Sequence, residues 1–128
     1  MAQIKYNLGD LGTEVYSTNE TVIGTWIDGK PIYRKVIDFG ALPNGTIKSV
    51  AHNITNLDII TKLYGVANND SNKTCLPLPS GNSPSVANSI YLYILGKDVN
   101  VDCGVNASSY NRSYIIIEYT KNNWCVGD

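Results

Sequence analysis

A chain of 128 residues with a formal net charge of -1 and 43% hydrophobic residues has the length of one domain with a real core. Its ten Lys and Arg are scattered, so no basic cluster offers a nucleic-acid backbone its counter-charge. No apolar run nears the roughly twenty residues that cross a membrane, and the opening "MAQIKYNLGD" lacks the apolar core of a signal peptide, which points to synthesis in a cytoplasm.

No segment sustains a helical period; short β-rich runs are broken by Gly, Pro, Asn and Asp. "TVIGTWI" and "PIYRKVIDF" flank Asp28-Gly29, which predicts a hairpin with Lys30 exposed at the exit of its turn. A second turn, Asn44-Gly45, precedes a short strand over 47–52. Residues 53–58 are expected to form a turn or a single helical turn. Residues 58–67 then read as a strand with Ile60, Tyr64 and Val66 on one face and Ile59, Leu63 and Gly65 on the other. Residues 68–88, "NNDSNKTCLPLPSGNSPSVAN", read as a long functional loop, with "CLPLP" extended inside it. "SIYLYIL", "GKD" and "VNVDCG" predict another hairpin, with Val99, Val101 and Cys103 on one face. A polar loop, "VNASSYNRS", leads into "YIIIEYT", where Ile115, Ile117 and Tyr119 share one face and Tyr114, Ile116 and Glu118 the other. A strand apolar on both faces is covered on both, inside a sandwich or under a neighbouring subunit. About seven short strands joined by turns predict an all-β, antiparallel β-sandwich of jelly-roll-like form.

Chemical signals are sparse. The single histidine, His52 in "SVAHNI", reads as a hydrogen-bonded structural residue, and there is no G-x-S-x-G elbow. Asp28, Asp38, Asp58, Asp102 and Glu118 are available for a carboxylate pair, but no spacing singles one out. Cys75, Cys103 and Cys125 are odd in number and lack C-x-x-C, so free thiols are expected. With no phosphate-cradling or dinucleotide motif and no EF-hand loop, no metal or cofactor is expected, and no catalytic residue is assigned. N-x-S/T triplets, among them those beginning at Asn19, Asn44, Asn53, Asn72, Asn106 and Asn111, are read as by-products of an Asn-rich chain. Nine tyrosines against one phenylalanine supply flat apolar rings with polar tips. With abundant Asn, they suit a surface that contacts carbohydrate, and equally the outward strands of an oligomer.

The ordered series "VYSTNETVIGTWIDGKPIYRKVIDFG", "LPNGTIKSVAHNITNLDIITKLYGVA", "LPLP", "NSIYLYILGKDVNVDCG" and "SSYNRSYIIIEYTK" resembles the terminal domain of bacteriophage and prophage tail fibres and baseplate receptor-binding proteins. The family's recurring features are read here at Tyr16-Ser17-Thr18 with Glu20, Gly24 to Lys35, Leu42-Pro43-Asn44, His52 with Ile54 and Asn56, Leu76-Pro77-Leu78-Pro79, and Tyr119-Thr120-Lys121. The likeness covers about residues 15–121. Two places depart from it: the family's "GSDRSAY" loop reads "GVNASSY" at 104–110, and its "YTKTTD" ending reads "YTKNNWCVGD".

The resemblance implies a non-enzymatic virion protein of the tail, made in the host bacterium, trimeric, joined to other tail proteins and facing bacterial surface polysaccharide or protein. Residues 1–15 would then be a connecting segment, 16–121 the β-sandwich and 122–128 a C-terminal tail. "WIDGK" becomes a hairpin tip rather than an acid and a base. "SIYLYIL" and "YIIIEYT" are expected to make core and subunit contacts. Host contacts are expected on loops, at Tyr64, Asn69, Asp70, Tyr110, Asn111 and Arg112. The rival readings are a structural virion or decoration protein and a polysaccharide depolymerase working through Asp28, Asp58 or Glu118.

Overall fold

The structure is a computed structural model that describes residues 15–82 and 85–122, with the backbone alone at 82 and 85–88. Among the described residues the strands are β1 Thr21–Thr25, β2 Pro31–Asp38, β3 Ile47–Ala51, β4 Leu57–Asn69, β5 Thr74–Leu78, β6 Ser80–Asn82, β7 Ser85–Leu95, β8 Asp98–Cys103 and β9 Arg112–Lys121. They pair antiparallel throughout, in a five-stranded sheet ordered β1-β2-β9-β4-β5 and a four-stranded sheet ordered β3-β8-β7-β6. The chain is thus the all-β, antiparallel two-sheet protein that its alternating pattern implies. No helix of the described residues is long and apolar enough to cross a membrane.

The core lies between the inner faces of the sheets. Ile37, Ile115, Ile117 and Tyr119 of the large sheet meet Ile90, Val99, Val101 and Cys103 of the small one, with Phe39 and Leu42 from the connecting chain. Each fully buried aliphatic side chain contributes about 1.5–3 kcal/mol. The last strand in sequence, β9, enters between β2 and β4, so both its edges are paired. Residues 115–120 are buried without interruption. On the outer face of β9, Ile116, Glu118 and Thr120 are buried within the single chain; beside them on β2, the Ser17 carbonyl accepts a hydrogen bond from the Val36 amide (2.9 Å), and the Tyr16 ring lies 4.4 Å from the Arg34 guanidinium carbon.

The first hairpin forms as predicted. Gly29 supplies the positive φ (+88°), and the Asp28 carboxylate caps the Lys30 amide at 3.0 Å. Lys30, however, does not simply project into solvent: its ammonium lies 2.6 Å from Asp58 at the start of β4. Residues 53–56 form no helical turn, with Asn53 and Asn56 both at positive φ.

Two other expectations are corrected. Residues 68–88 are not a long loop: they contain the end of β4, a turn at 70–73, β5, β6 and the start of β7. The prolines that make "CLPLP" look like loop are tolerated because β5 is an edge strand with β4 as its one partner. The faces assigned along β4 also change. Register irregularities between Leu57 and Lys62 pair Ile60 with Tyr119, then Leu63 with Ile117, so Ile60 joins Leu63 and Gly65 on the core side. Tyr64 and Val66 pair with Ile116 and Tyr114 on the outer side. Gly65 is needed where β4 crosses Ile115: a Cβ there would lie 2.7 Å from both the Ile115 Cδ1 and the Tyr114 carbonyl oxygen.

Candidate functional site: an aromatic platform on the small sheet

The short motifs singled out in the sequence bind one another. The Glu20 carboxylate accepts hydrogen bonds from Tyr119 and, at 2.6 Å, from Lys121, joining the first motif to the last. Burial disfavours its charge, but these two donors together hold its carboxyl below the usual value. Lys35 donates to the His52 carbonyl at 2.8 Å, and the Pro43 carbonyl accepts from Ala107 at 3.1 Å. His52 is buried, with Nδ1 accepting from the Ile54 amide (3.0 Å) and Nε2 facing the Gly96 carbonyl (2.9 Å). Both ring nitrogens are taken up by backbone, which leaves neither to act as a base. Asp58 is held by Lys30 and Thr120, and Glu118 takes two hydrogen bonds from Arg34, at 3.0 and 2.9 Å, in a pair that is nearly inaccessible to solvent.

Four of the six contact residues expected from sequence come together at one end of the sandwich. Arg112 lies 2.8 Å from Asp70, the Asn111 amide donates to the same carboxylate at 3.2 Å, and its carbonyl oxygen accepts from the Asp70 amide at 3.0 Å. Asn69 caps the adjoining turn through the Ser71 amide at 2.9 Å. The cluster is exposed, yet its polar groups are spent on each other. Tyr110 turns inward and packs on the core. Tyr64 is remote from both, on the outer face of the large sheet, where burial and then a hydrogen bond to Tyr16 push its phenol up to about 12.

Besides Tyr16 on the large sheet, the exposed aromatics of the described residues are Tyr91 and Tyr93, on the outer face of the small sheet. Cross-strand pairing sets out three rows there: Tyr91, Asp102 and Ile47; Tyr93, Asn100 and Ser49; Leu95, Asp98 and Ala51. Tyr91 is 45% exposed and Tyr93 36%, in contrast to the buried Val99, Val101 and Cys103 that alternate with the acidic column. Two rings at alternate positions of one strand stand about 7 Å apart along it. Asn100 is 6% exposed and forms a floor, fixed by the Ser49 hydroxyl, which donates to its Oδ1. Beyond Tyr91 an open depression of about 290 Å³ is lined by Pro79, Ser80, Gly81, Ser89, Ile90 and Tyr91. Sequence reading placed "SIYLYIL" in core and subunit contacts and so passed over Tyr91 and Tyr93. The missed signal was the alternation of Tyr, Tyr and Leu opposite Asp, Asn and Asp.

Among the described residues no group of three His, Cys, Asp or Glu is placed to hold a metal ion. Set against family models, curated proteins and solved structures, the chain matches none of them.

Proposed function

We propose that the chain is a non-enzymatic recognition module of a bacteriophage tail, acting as a homotrimer attached to other tail proteins and contacting glycan on the bacterial surface through the small-sheet platform. The observation that carries the glycan reading is the exposure of Tyr91 and Tyr93 on the outer face of the small sheet, beside Asp102, Asn100 and Asp98. Aromatic rings cover the apolar face of a sugar, and short carboxylate and amide side chains match its vicinal hydroxyls. The ordered motifs at 16–121 support the tail assignment, with synthesis in the host cytoplasm and residence on the virion. For the trimer, the large sheet offers a different face: an open apolar groove of about 360 Å³ lined by Tyr16, Ser17, Thr18, Val36, Tyr114 and Ile116.

A structural virion protein is the second reading, favoured by Ile47 and Leu95, which are 50% and 71% exposed at the edges of the platform and would suit a protein partner. Binding of the purified chain to host cells and to a glycan array separates the two. The glycan reading expects saturable binding that Tyr91→Ala with Tyr93→Ala removes at an unchanged melting temperature. Absence of any glycan or cell binding, or binding indifferent to both substitutions, contradicts it. A depolymerase would release reducing ends from host polysaccharide in a manner dependent on Asp28, Asp58 or Glu118; none is expected, because each of these carboxylates holds the fold together.

A further inference from the structure

The charge on the platform narrows the ligand. Among the described residues, the strands of the small sheet carry three charged residues, Lys48, Asp98 and Asp102. Lys48 pairs with Val101 on the core side and bends away from the face, its ammonium donating to the carbonyls of Phe39 (2.7 Å) and Ala41 (2.8 Å). Asp98 and Asp102 therefore face outward with no cation among the strands beside them; the nearest along the chain is Lys97, in the turn at the Leu95 end. The two carboxylates flank Asn100, in a column directly beside the aromatic column of Tyr91 and Tyr93.

We infer that the platform selects non-acidic glycans, binding a chain of hexoses laid along β7, ranked amino-bearing above neutral and neutral above acidic. This rests on the glycan reading given above. Each part of the face has a share in it. The rings stack on successive sugar units and attract an ammonium group at their faces. Asp102 and Asp98 accept hydrogen bonds from hydroxyls or amines, and repel a uronate or phosphate brought to the same place. The Asn100 floor, already fixed by Ser49, loses little side-chain freedom when a hydroxyl reaches it. The depression beside Tyr91 leaves room for the chain to continue past the first ring.

The test uses the full chain and three soluble probes of equal length: glucosamine hexamer with free amines, an uncharged glucose hexamer and a hyaluronan hexamer. Affinities are measured by calorimetry near neutral pH and moderate salt. The expected order is glucosamine, glucose, hyaluronan, with the ends of the series at least about tenfold apart, the size of one or two charge contacts. Asp98→Asn with Asp102→Asn should weaken the glucosamine hexamer, strengthen hyaluronan and leave the glucose hexamer within about twofold. Tyr93→Ala should weaken all three, by roughly tenfold, the share of one stacking contact. Thermal melts of each variant separate loss of binding from loss of fold. Hyaluronan binding as tightly as glucosamine, or an order untouched by the Asn substitutions, overturns the selectivity and leaves the glycan reading standing. Failure of all three probes together with the absence of any other glycan ligand overturns both.

Discussion

At the scale of single residues, two charged contacts carry most of the consequence. Arg34 sits beneath the Tyr16 ring and pairs with Glu118, both almost fully shielded, with one guanidinium edge against one carboxylate oxygen. Removing one partner strands the other in a poorly solvated place. Glu118→Leu is expected to cost about 3–5 kcal/mol in chemical denaturation, whereas Arg34→Met with Glu118→Leu should fall close to the parent. Glu20 is the pH-sensitive contact. Its carboxyl, ordinarily near 4.5, is held lower in the folded chain than in the unfolded chain. Its stabilising effect is therefore complete above that value and lost as pH falls through the lower, folded one. Melting temperatures measured from pH 6 downward should decline less steeply in Glu20→Gln than in the parent over that acid range. Asn side chains act at this scale too. Asn72 and Asn106 each accept from the amide two residues on, at 3.1 and 3.0 Å, so these two N-x-S/T triplets are folded as side-chain-capped turns.

At the scale of the element, β4 against β9 decides how closely the large sheet can pack. Gly65→Ala places a methyl group at 2.7 Å from both a side chain and a backbone oxygen, and the oxygen cannot swing aside. The expected loss is about 1–3 kcal/mol, read as a lower denaturant midpoint. The same strand shows where sequence reading succeeded and where it fell short. Strict alternation made β9 and the β7–β8 hairpin plain, because Ile115, Ile117, Val99 and Val101 repeat every second residue and face the core. The irregular register near Thr61 was hidden, since an extra residue changes faces without changing composition. The β5 and β6 strands were hidden as well, because Pro and Asn signal loops and an edge strand can afford them. The contact cluster was half legible: Asn69, Asp70, Asn111 and Arg112 do meet, but no sequence pattern announces that they satisfy one another. In "SIYLYIL" the core half of the expectation holds, with Ile90, Leu92 and Ile94 on the core side, while Tyr91 and Tyr93 face outward, and a strand apolar on both faces looks the same whether a subunit or a sugar covers its second face.

At the scale of the molecule, the two outer faces divide the work proposed for them. On the outer side of the large sheet, residues 16–18 border the groove beside Val36, Tyr114 and Ile116, the face proposed for neighbouring copies. The small sheet presents its tyrosines and carboxylates to the outside. Light scattering should give three times the mass of one chain, and Val36→Asp, at a half-buried position of the groove, should reduce it to one while the chain stays folded by circular dichroism; Tyr91→Ala with Tyr93→Ala should leave it unchanged. If the tyrosine variant is the one that dissociates, the platform is a subunit contact. The direct measurement of where ligand lands is an amide chemical-shift titration of the labelled protein with a glycan that it binds. The account predicts shifts concentrated at residues 91–93 and 98–102 on the small sheet. Shifts gathered instead at Asp70, Asn111 and Arg112, with the platform silent, would contradict it.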